Sequence, residues 1–330
     1  MSEPLLLAES LSVRFRRTTL ASLIGRGRPD NVQAVADVHL AVGRGQSVGL
    51  VGESGCGKTT LGRALLRLIE PSAGRLMFDG RDLITLSESD LFAFRRRAQM
   101  VFQDPYGSLN PRLTVEETLS EVFSVHRLCP VSKIRERVRE LMQRVGLSPD
   151  LSTRRPYSLS GGQCQRVGIA RALAVGPELI IADEPVSALD VSIQAQILNL
   201  FETLQHDMRL SLLFISHDLG VVRHLCRMVA VMYLGRIVEF GPTEAVFESP
   251  RHPYTQALIA AMPRLDVEGS LPRRGLAGEP PSPVAVPPGC PFHPRCPEAM
   301  PVCRNDPVPE ERVEGRVKVR CHLYPLPMHA

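Results

Sequence analysis

The residues best suited to chemistry in this 330-residue chain form one run, Gly52-Glu53-Ser54-Gly55-Cys56-Gly57-Lys58-Thr59. It fits the phosphate-loop pattern G-x-x-x-x-G-K-[ST] in full. Glycines let backbone N–H groups curl around phosphate oxygens, and the start of the following helix adds a partial positive charge. Lys58 reaches the β- and γ-phosphates of a nucleoside triphosphate, the Thr59 hydroxyl ligates Mg²⁺, and Thr60 completes the nucleotide-binding run. A charge-assisted bond of this kind contributes about 1.5–3 kcal/mol. A second run, Leu179-Ile180-Ile181-Ala182-Asp183-Glu184, supplies the partner acids. An apolar strand ending in two carboxylates places Asp183 at the carboxyl edge of a sheet, where it holds Mg²⁺ through water. Glu184, one residue on, can polarise an attacking water as general base.

These residues need strands and helices to hold them. Residues 5–15 alternate as a strand, and a second strand is expected near Val32–Val42. Arg14, Arg16, Arg17, Arg26 and Arg28 read as a solvated basic loop between them. Gln46–Val51 is a short apolar run ending in glycine, as a buried strand would. From Lys58, the spacing of Leu61, Ala64, Leu65, Leu68 and Ile69 is helical, with Pro71 and Gly74 ending it. Residues 106–160 read as mostly helical. A helix from about Gly162 to Val175, buried strands at Leu179–Ala182 and Leu212–Ser216, and a helix near Ser192–Met208 follow. Met228–Tyr233 and Arg236–Phe240 form a hairpin, and one short helix is expected near Tyr254–Ala261. Strands alternating with helices predict an α/β fold with a mainly parallel sheet.

Composition narrows the class. With 44% hydrophobic and 22% charged residues the chain can bury a core, which excludes global disorder. A net charge of +4 is too small to argue for nucleic acid as a partner. No apolar stretch approaches the roughly 18 residues of a membrane span. The N-terminal residues hold acids and no basic region, so no secretory signal is read and a soluble cytosolic chain is expected. Of 28 prolines, 17 lie in residues 249–330, which sets that segment apart. In a reducing cytosol disulfides among the eight cysteines are not expected.

Further segments give a family resemblance. Leu159-Ser160-Gly161-Gly162-Gln163 resembles, without substitution, the signature sequence of the ABC-transporter ATPases. Gln103 resembles their glutamine loop, Ser187-Ala188-Leu189-Asp190 their D-loop, and His217 their switch histidine. Phe15 stands where that family stacks an aromatic on adenine. The resemblance implies a P-loop ATPase with a helical subdomain at about 105–165. Its Mg²⁺ would be held by Thr59, Gln103 and Asp183, and Glu184, Gln103 and His217 would be the catalytic residues. It also implies two ATPase subunits, identical or related, packed head to tail. Each Ser160–Gln163 segment, with Asp190 nearby, then closes on the partner's ATP. The helix start at Ser160 is itself a second anion site, which one nucleotide in one chain would not need.

Intact Glu184 and His217 argue for a hydrolysing unit. The short interval between Gln103 and Ser160, without heptads, excludes chromosome-maintenance relatives, and a single phosphate loop argues against the translation-associated ones. Tyr106–Arg112, Pro185–Ser192 and His252–Leu258 resemble the dipeptide/oligopeptide permease ATPases. The domains implied are an ATPase domain, 1–247, and a small proline-rich, cysteine-containing extension, 248–330. The partners implied are two membrane permease subunits and an extracytoplasmic binding protein, at the cytoplasmic face of the inner membrane. Another cargo such as nickel, or a soluble ABC ATPase without membrane partners, are the alternatives.

The extension carries Cys290, Cys296, Cys303 and Cys321 at C-x5-C-x6-C-x17-C. Absence of a Cys-x2-Cys knuckle weakens a zinc-ribbon reading. The Cys-Pro steps at 290 and 296 resemble those of bacterial ferredoxins, though the spacing differs. Resemblance to the peptide-importer ATPases implies a [4Fe–4S] cluster, with zinc and free thiols as alternatives. His293 and His322, beside these cysteines, have the chemistry to ligate a metal, but read first as surface histidines.

Overall fold

The computed structural model describes residues 3–17, 30–262, 278–309, 312–314 and 316–324. The chain divides into two compact units, one of Met1–Ala41, Val48–Ile84 and Ser216–Ala330, the other of Val42–Ser47 and Thr85–Ile215.

The first unit opens with strands β1 (Leu6–Arg17) and β2 (Asp30–Val42), then the buried strand β3 (Ser47–Val51) and helix α1 (Lys58–Leu65). Strands β4 (Ala73–Phe78) and β5 (Arg81–Asp82) complete a sheet ordered β2-β1-β4-β5, in which β4 runs antiparallel to both β1 and β5. Leu6 pairs with Phe78 and Ala8 with Leu76, and Leu6, Ala8, Leu11 and Val13 turn to the core. Two expectations change here. Arg14, Arg16 and Arg17 belong to β1 rather than to a loop, while Arg26 and Arg28 lie outside the described residues. Helix α1 stops at Leu65 because Arg67 takes φ 52°, a left-handed turn that leaves Leu68 and Ile69 outside the helix.

The second unit contains α2 (Glu88–Arg97), β6 (Ala98–Val101), α3 (Val115–Val125), α4 (Ile134–Arg144), α5 (Gly161–Leu173), β7 (Leu179–Asp183), α6 (Val191–Met208) and β8 (Ser211–Ser216). Strands β6, β7 and β8 run parallel, with Met100 opposite Ile181 and Ala182 opposite Phe214. Leu179–Ala182 and Leu212–Ile215 are fully buried, so these strands read as continuous apolar runs rather than alternating ones. Thr114 and Glu117 form a reciprocal cap that starts α3, and α3, α4 and α5 pack on one another.

The chain then returns to the first unit as α7 (Leu219–Leu225), β9 (Met228–Tyr233), β10 (Arg236–Pro242), α8 (Thr243–Glu248), α9 (Pro253–Ala260), α10 (Val302–Asn305), β11 (Arg312–Glu314) and β12 (Val317–Val319). Strand β3 pairs parallel with β9, and the expected hairpin joins β9 to β10 through Leu234 and Gly235, both at positive φ. Pairing with β12 and then β11 continues that sheet antiparallel. The last two strands, three residues each, are too short for any alternation to be legible. Arg320, just past β12, donates to the Asp37 carboxylate at 2.7 Å and to its carbonyl at 3.0 Å, tying the C-terminal segment to β2.

Where α9 begins, the carboxylate of buried Glu239 accepts the backbone N–H groups of Arg251 (2.8 Å) and His252 (2.9 Å). His252 caps α9, its Nδ1 accepting the Tyr254 N–H at 3.0 Å, a bond that requires that nitrogen unprotonated. Burial pushes the imidazole pKa down to about 3. The unfolded chain therefore binds a proton below about pH 6.5 that the folded chain refuses. Stability should fall as pH drops from 6.5 toward 3, at up to about 1.4 kcal/mol per pH unit from this one group. Urea midpoints measured between pH 7 and 4.5 should show a steeper acid decline for the parent than for His252→Asn; equal slopes would refute the burial argument.

Candidate nucleotide site

The phosphate loop joins β3 to α1. Gly57 takes φ 108° and caps α1, and a side chain there would place Cβ 2.2 Å from the Ala34 carbonyl oxygen. Only glycine combines that backbone with that approach. Lys58 is 5% exposed, and its Nζ donates to the carbonyls of Gly52 (2.8 Å) and Glu53 (3.0 Å). The ammonium is thus buried, satisfied and held across the loop. Ser54 and Gly55 are exposed at the tip, Gly52 and Cys56 are buried beneath, and Thr59 and Thr60 lie half-buried on the first turn of α1. Burial raises the Cys56 thiol pKa, so this cysteine packs as an uncharged apolar group. Phe15 on β1 is 41% exposed, so it is not a core aromatic and its ring stays accessible.

Glu53 is the loop residue that inspection of the sequence left without a role. Its carboxylate forms a two-pronged ion pair with Arg295, Nη1–Oε2 2.7 Å and Nη2–Oε1 2.9 Å. Its backbone N–H donates to the Tyr254 hydroxyl oxygen at 2.9 Å. Tyr254 belongs to an aromatic cluster with Tyr233 and Phe292, with ring centroids 4.6–5.4 Å apart. One signal was visible: Glu53 is the sole acid in the loop. Its partners, 201 and 242 residues away, carry no local signature.

In the second unit, Asp183 ends β7 and is buried, and Glu184 follows with φ 44°. A left-handed backbone is costly for a non-glycine residue, and such strain concentrates at functional sites. Here it is held by the Glu184 N–H bond to the Ile215 carbonyl (3.0 Å) and by the Ser187 hydroxyl bond to the Glu184 carbonyl (3.0 Å). The Gln103 side-chain amide donates to the Glu184 carboxylate at 3.1 Å, so the structure joins two of the residues singled out for catalysis. Ser160 starts α5 with a reciprocal cap: its Oγ accepts the Gln163 N–H (3.2 Å), and Gln163 Oε1 accepts the Ser160 N–H (2.9 Å). A Cβ on Gly162 would lie 2.4 Å from Ile193 Cγ2, so α5 approaches α6 closely there. The Tyr106 hydroxyl donates to the Leu159 carbonyl at 3.1 Å, and Leu189 packs against Gly161, which gathers the glutamine-loop, signature and D-loop segments. The backbone of Asp190 starts α6, its carbonyl accepting from Ile193 and Gln194. His217, in the first unit, follows β8 and is exposed.

All eight cysteines are free thiols. In the C-terminal segment the Cys290 N–H donates to the Cys303 carbonyl at 2.8 Å, and Cys321 is an electrostatic neighbour of Cys290, Cys296 and Cys303. Burial pushes the Cys290 and Cys321 thiols up to about 11 and also raises Cys296. No group of three or more His, Cys, Asp or Glu side chains among the described residues is drawn together to hold a metal ion. No helix among the described residues is long and apolar enough to cross a membrane.

Comparison with known proteins agrees with this geometry. Residues 35–187 match the ABC transporter family model, and residues 238–303 match the oligopeptide/dipeptide transporter C-terminal region. The chain is 50% identical over 298 residues to the oligopeptide transport ATP-binding protein AppF of Bacillus subtilis, covering 89% of this chain and 90% of that protein. It is 49% identical over 323 residues to the probable peptide ABC transporter ATP-binding protein y4tS of Sinorhizobium fredii, covering 98% of this chain and 91% of that one. Among solved structures, the ATP-binding cassette MJ0796, a dimer bound to ADP and phosphate, matches with TM-score 0.64 and 26% identity over 72% of this chain and 98% of that one. The cassette cbiO1 of Clostridium perfringens, part of the transporter complex cbiONQ, also gives TM-score 0.64, at 28% identity over 75% of this chain and 92% of its own. The chain therefore belongs to the ATP-hydrolysing subunits of the ABC transporter family, in the branch that carries the oligopeptide/dipeptide transporter C-terminal region.

Proposed function

We propose that this chain hydrolyses ATP to drive import of di- or oligopeptides through two separate permease subunits fed by an extracytoplasmic binding protein. The observation that carries the cargo is the joint presence of an ABC ATPase region and the 238–303 segment, a pairing accompanied by 50% identity to an oligopeptide transport protein. In this reading residues 1–247 are the ATPase domain and 248–330 the extension, and the subunit works peripherally at the cytoplasmic face of the inner membrane.

Each site residue then has a role. Lys58 and the loop amides from Gly52 to Gly57, with Ser54 and Thr60, hold the β- and γ-phosphates, and Phe15 stacks on adenine. Thr59, Asp183 and Gln103 would hold Mg²⁺, which would offset the negative charge of the phosphates. Glu184 takes a proton from water, the water oxygen attacks the γ-phosphorus, the bond to the β-bridging oxygen breaks, and ADP and phosphate leave. His217 orients this step. Ser160, Gly161, Gly162, Gln163 and Asp190 act on the nucleotide of a second ATPase subunit in a head-to-tail dimer; the dimeric cassette MJ0796 lends this arrangement support. The 3.1 Å bond from Gln103 favours the pairing of metal sensing with the base, and Ser160 presents a capped helix start suited to a phosphate.

Cys290, Cys296, Cys303 and Cys321 would hold a [4Fe–4S] centre in this proposal. An all-sulfur donor set without carboxylates suits iron–sulfur chemistry. Binding would have to draw these thiols together, since they do not form a ready cage among the described residues.

Two outcomes are expected. Glu184→Gln should lower phosphate release by at least about 100-fold while retaining ATP, and should elute as a dimer with Mg²⁺ and ATP. Hydrolysis at the parent rate would remove Glu184 as the base. Anaerobically purified protein should contain iron and absorb in the visible range, and Cys303→Ala should lose both; a colourless, iron-free parent would remove the cluster.

A further inference from the structure

We propose that Arg295 is a positioning residue for nucleotide binding: it neutralises Glu53 and holds that carboxylate on its own guanidinium, so ATP affinity depends on the C-terminal extension. This rests on the reading of the loop as the ATP site.

The loop Gly52–Thr59 contains one acid, Glu53, beside a site that must accept the concentrated negative charge of a triphosphate. An uncompensated carboxylate there would repel the ligand, and the repulsion grows as water is excluded. Three contacts fix how Glu53 is presented. Its carboxylate meets both prongs of the Arg295 guanidinium, its N–H donates to Tyr254, and its carbonyl accepts Lys58 Nζ. Glu53 therefore presents its carbonyl to the Lys58 ammonium and its carboxylate to Arg295.

Arg295 differs from an ordinary surface partner, whose ion pair would contribute little. Its side chain is only 4% exposed, and that of Glu53 24%. Ion pairing with Glu53 raises the guanidinium pKa further, and an arginine stays charged throughout the physiological range. Its position is set by packing. The Arg295 N–H donates to the Phe292 carbonyl at 3.0 Å, and the fully buried Phe292 ring lies against Tyr233 and Tyr254. The same cluster that aims the Tyr254 hydroxyl at the Glu53 N–H therefore aims Arg295 at the Glu53 carboxylate. Removing the guanidinium would leave a half-buried carboxylate in the loop with its closest positive neighbour gone, and the incoming phosphates would bear that cost.

The test is calorimetric titration of the full chain with Mg²⁺ and the non-hydrolysable analogue AMP-PNP, alongside steady-state hydrolysis. Arg295→Gln should weaken binding about tenfold and raise the KM for ATP with kcat nearly unchanged. Arg295→Lys, which keeps the charge but not the fork, should weaken it about threefold. The double variant Glu53→Gln/Arg295→Gln should recover affinity to within about threefold of the parent, since it removes the charge needing compensation. Parental affinity in Arg295→Gln would overturn the proposal. So would a double variant as weak as Arg295→Gln alone, because the defect would then not pass through the charge of Glu53. Melting points without nucleotide identify a variant that fails to fold, in which case Arg295→Lys carries the test and parental affinity there overturns the proposal. If the parent fails to bind, or Lys58→Ala binds as well as the parent, the ATP reading of the loop fails instead.

Discussion

A site for a triphosphate must present concentrated positive potential from a chain that cannot leave charge unsatisfied in its interior. This constraint shapes the loop between β3 and α1. Lys58 is buried, so oxygen atoms must replace the water its ammonium gives up, and the carbonyls of Gly52 and Glu53 provide them. Those carbonyls can face inward only because the loop turns through positive φ at Gly52, Gly55 and Gly57. At Gly57 the Ala34 carbonyl leaves no room for a side chain. The glycine pattern, the lysine and the helix start are consequences of one electrostatic requirement.

The second unit meets a related requirement by holding a carboxylate in a conformation it would not choose. Glu184 sits at φ 44° at the end of a fully buried strand, with its N–H and carbonyl both engaged. The parallel strands β6, β7 and β8 fix where that strand ends, and the Gln103 amide fixes where the carboxylate points. Backbone strain of about 1–3 kcal/mol is sustainable because the surrounding bonds determine the geometry more strongly than local preference does. Ser160 illustrates the opposite case, in which local chemistry alone suffices. Its reciprocal cap with Gln163 satisfies two amides at the start of α5 within four residues of chain.

The C-terminal segment is rich in proline and relies on anchors in the body of the first unit. Strand β12 pairs with β10, Arg320 pairs with Asp37, Glu239 receives the turn into α9, and Arg295 pairs with Glu53. Two of these anchors are arginine–carboxylate pairs with the guanidinium largely buried, where water screens them least. Phe292, buried among two tyrosines and His252, supplies the apolar contribution that a proline-rich segment lacks. Arg295 immediately precedes Cys296, so the thiol-bearing turns and the phosphate loop share a continuous set of contacts.

Local patterns in the sequence were enough to identify the phosphate loop, the acidic strand end, the signature helix start and the parallel α/β arrangement. Each is written within a few residues: a glycine where φ must be positive, a serine and glutamine three apart, or a continuous apolar run for a strand buried on both faces. Strands β11 and β12 were not legible, because they are three residues each and are stabilised by pairing with other strands rather than by their own alternation. Strand β4, which opens on Ala73, Gly74 and Arg75, is likewise set by its pairing with β1. The end of α1 was misplaced because a left-handed arginine, not the following proline, stops it. Only the tertiary structure decided the surroundings of Glu53. An ion pair between residues 242 positions apart depends on where folding places two side chains, and no periodicity or spacing in the chain encodes that distance.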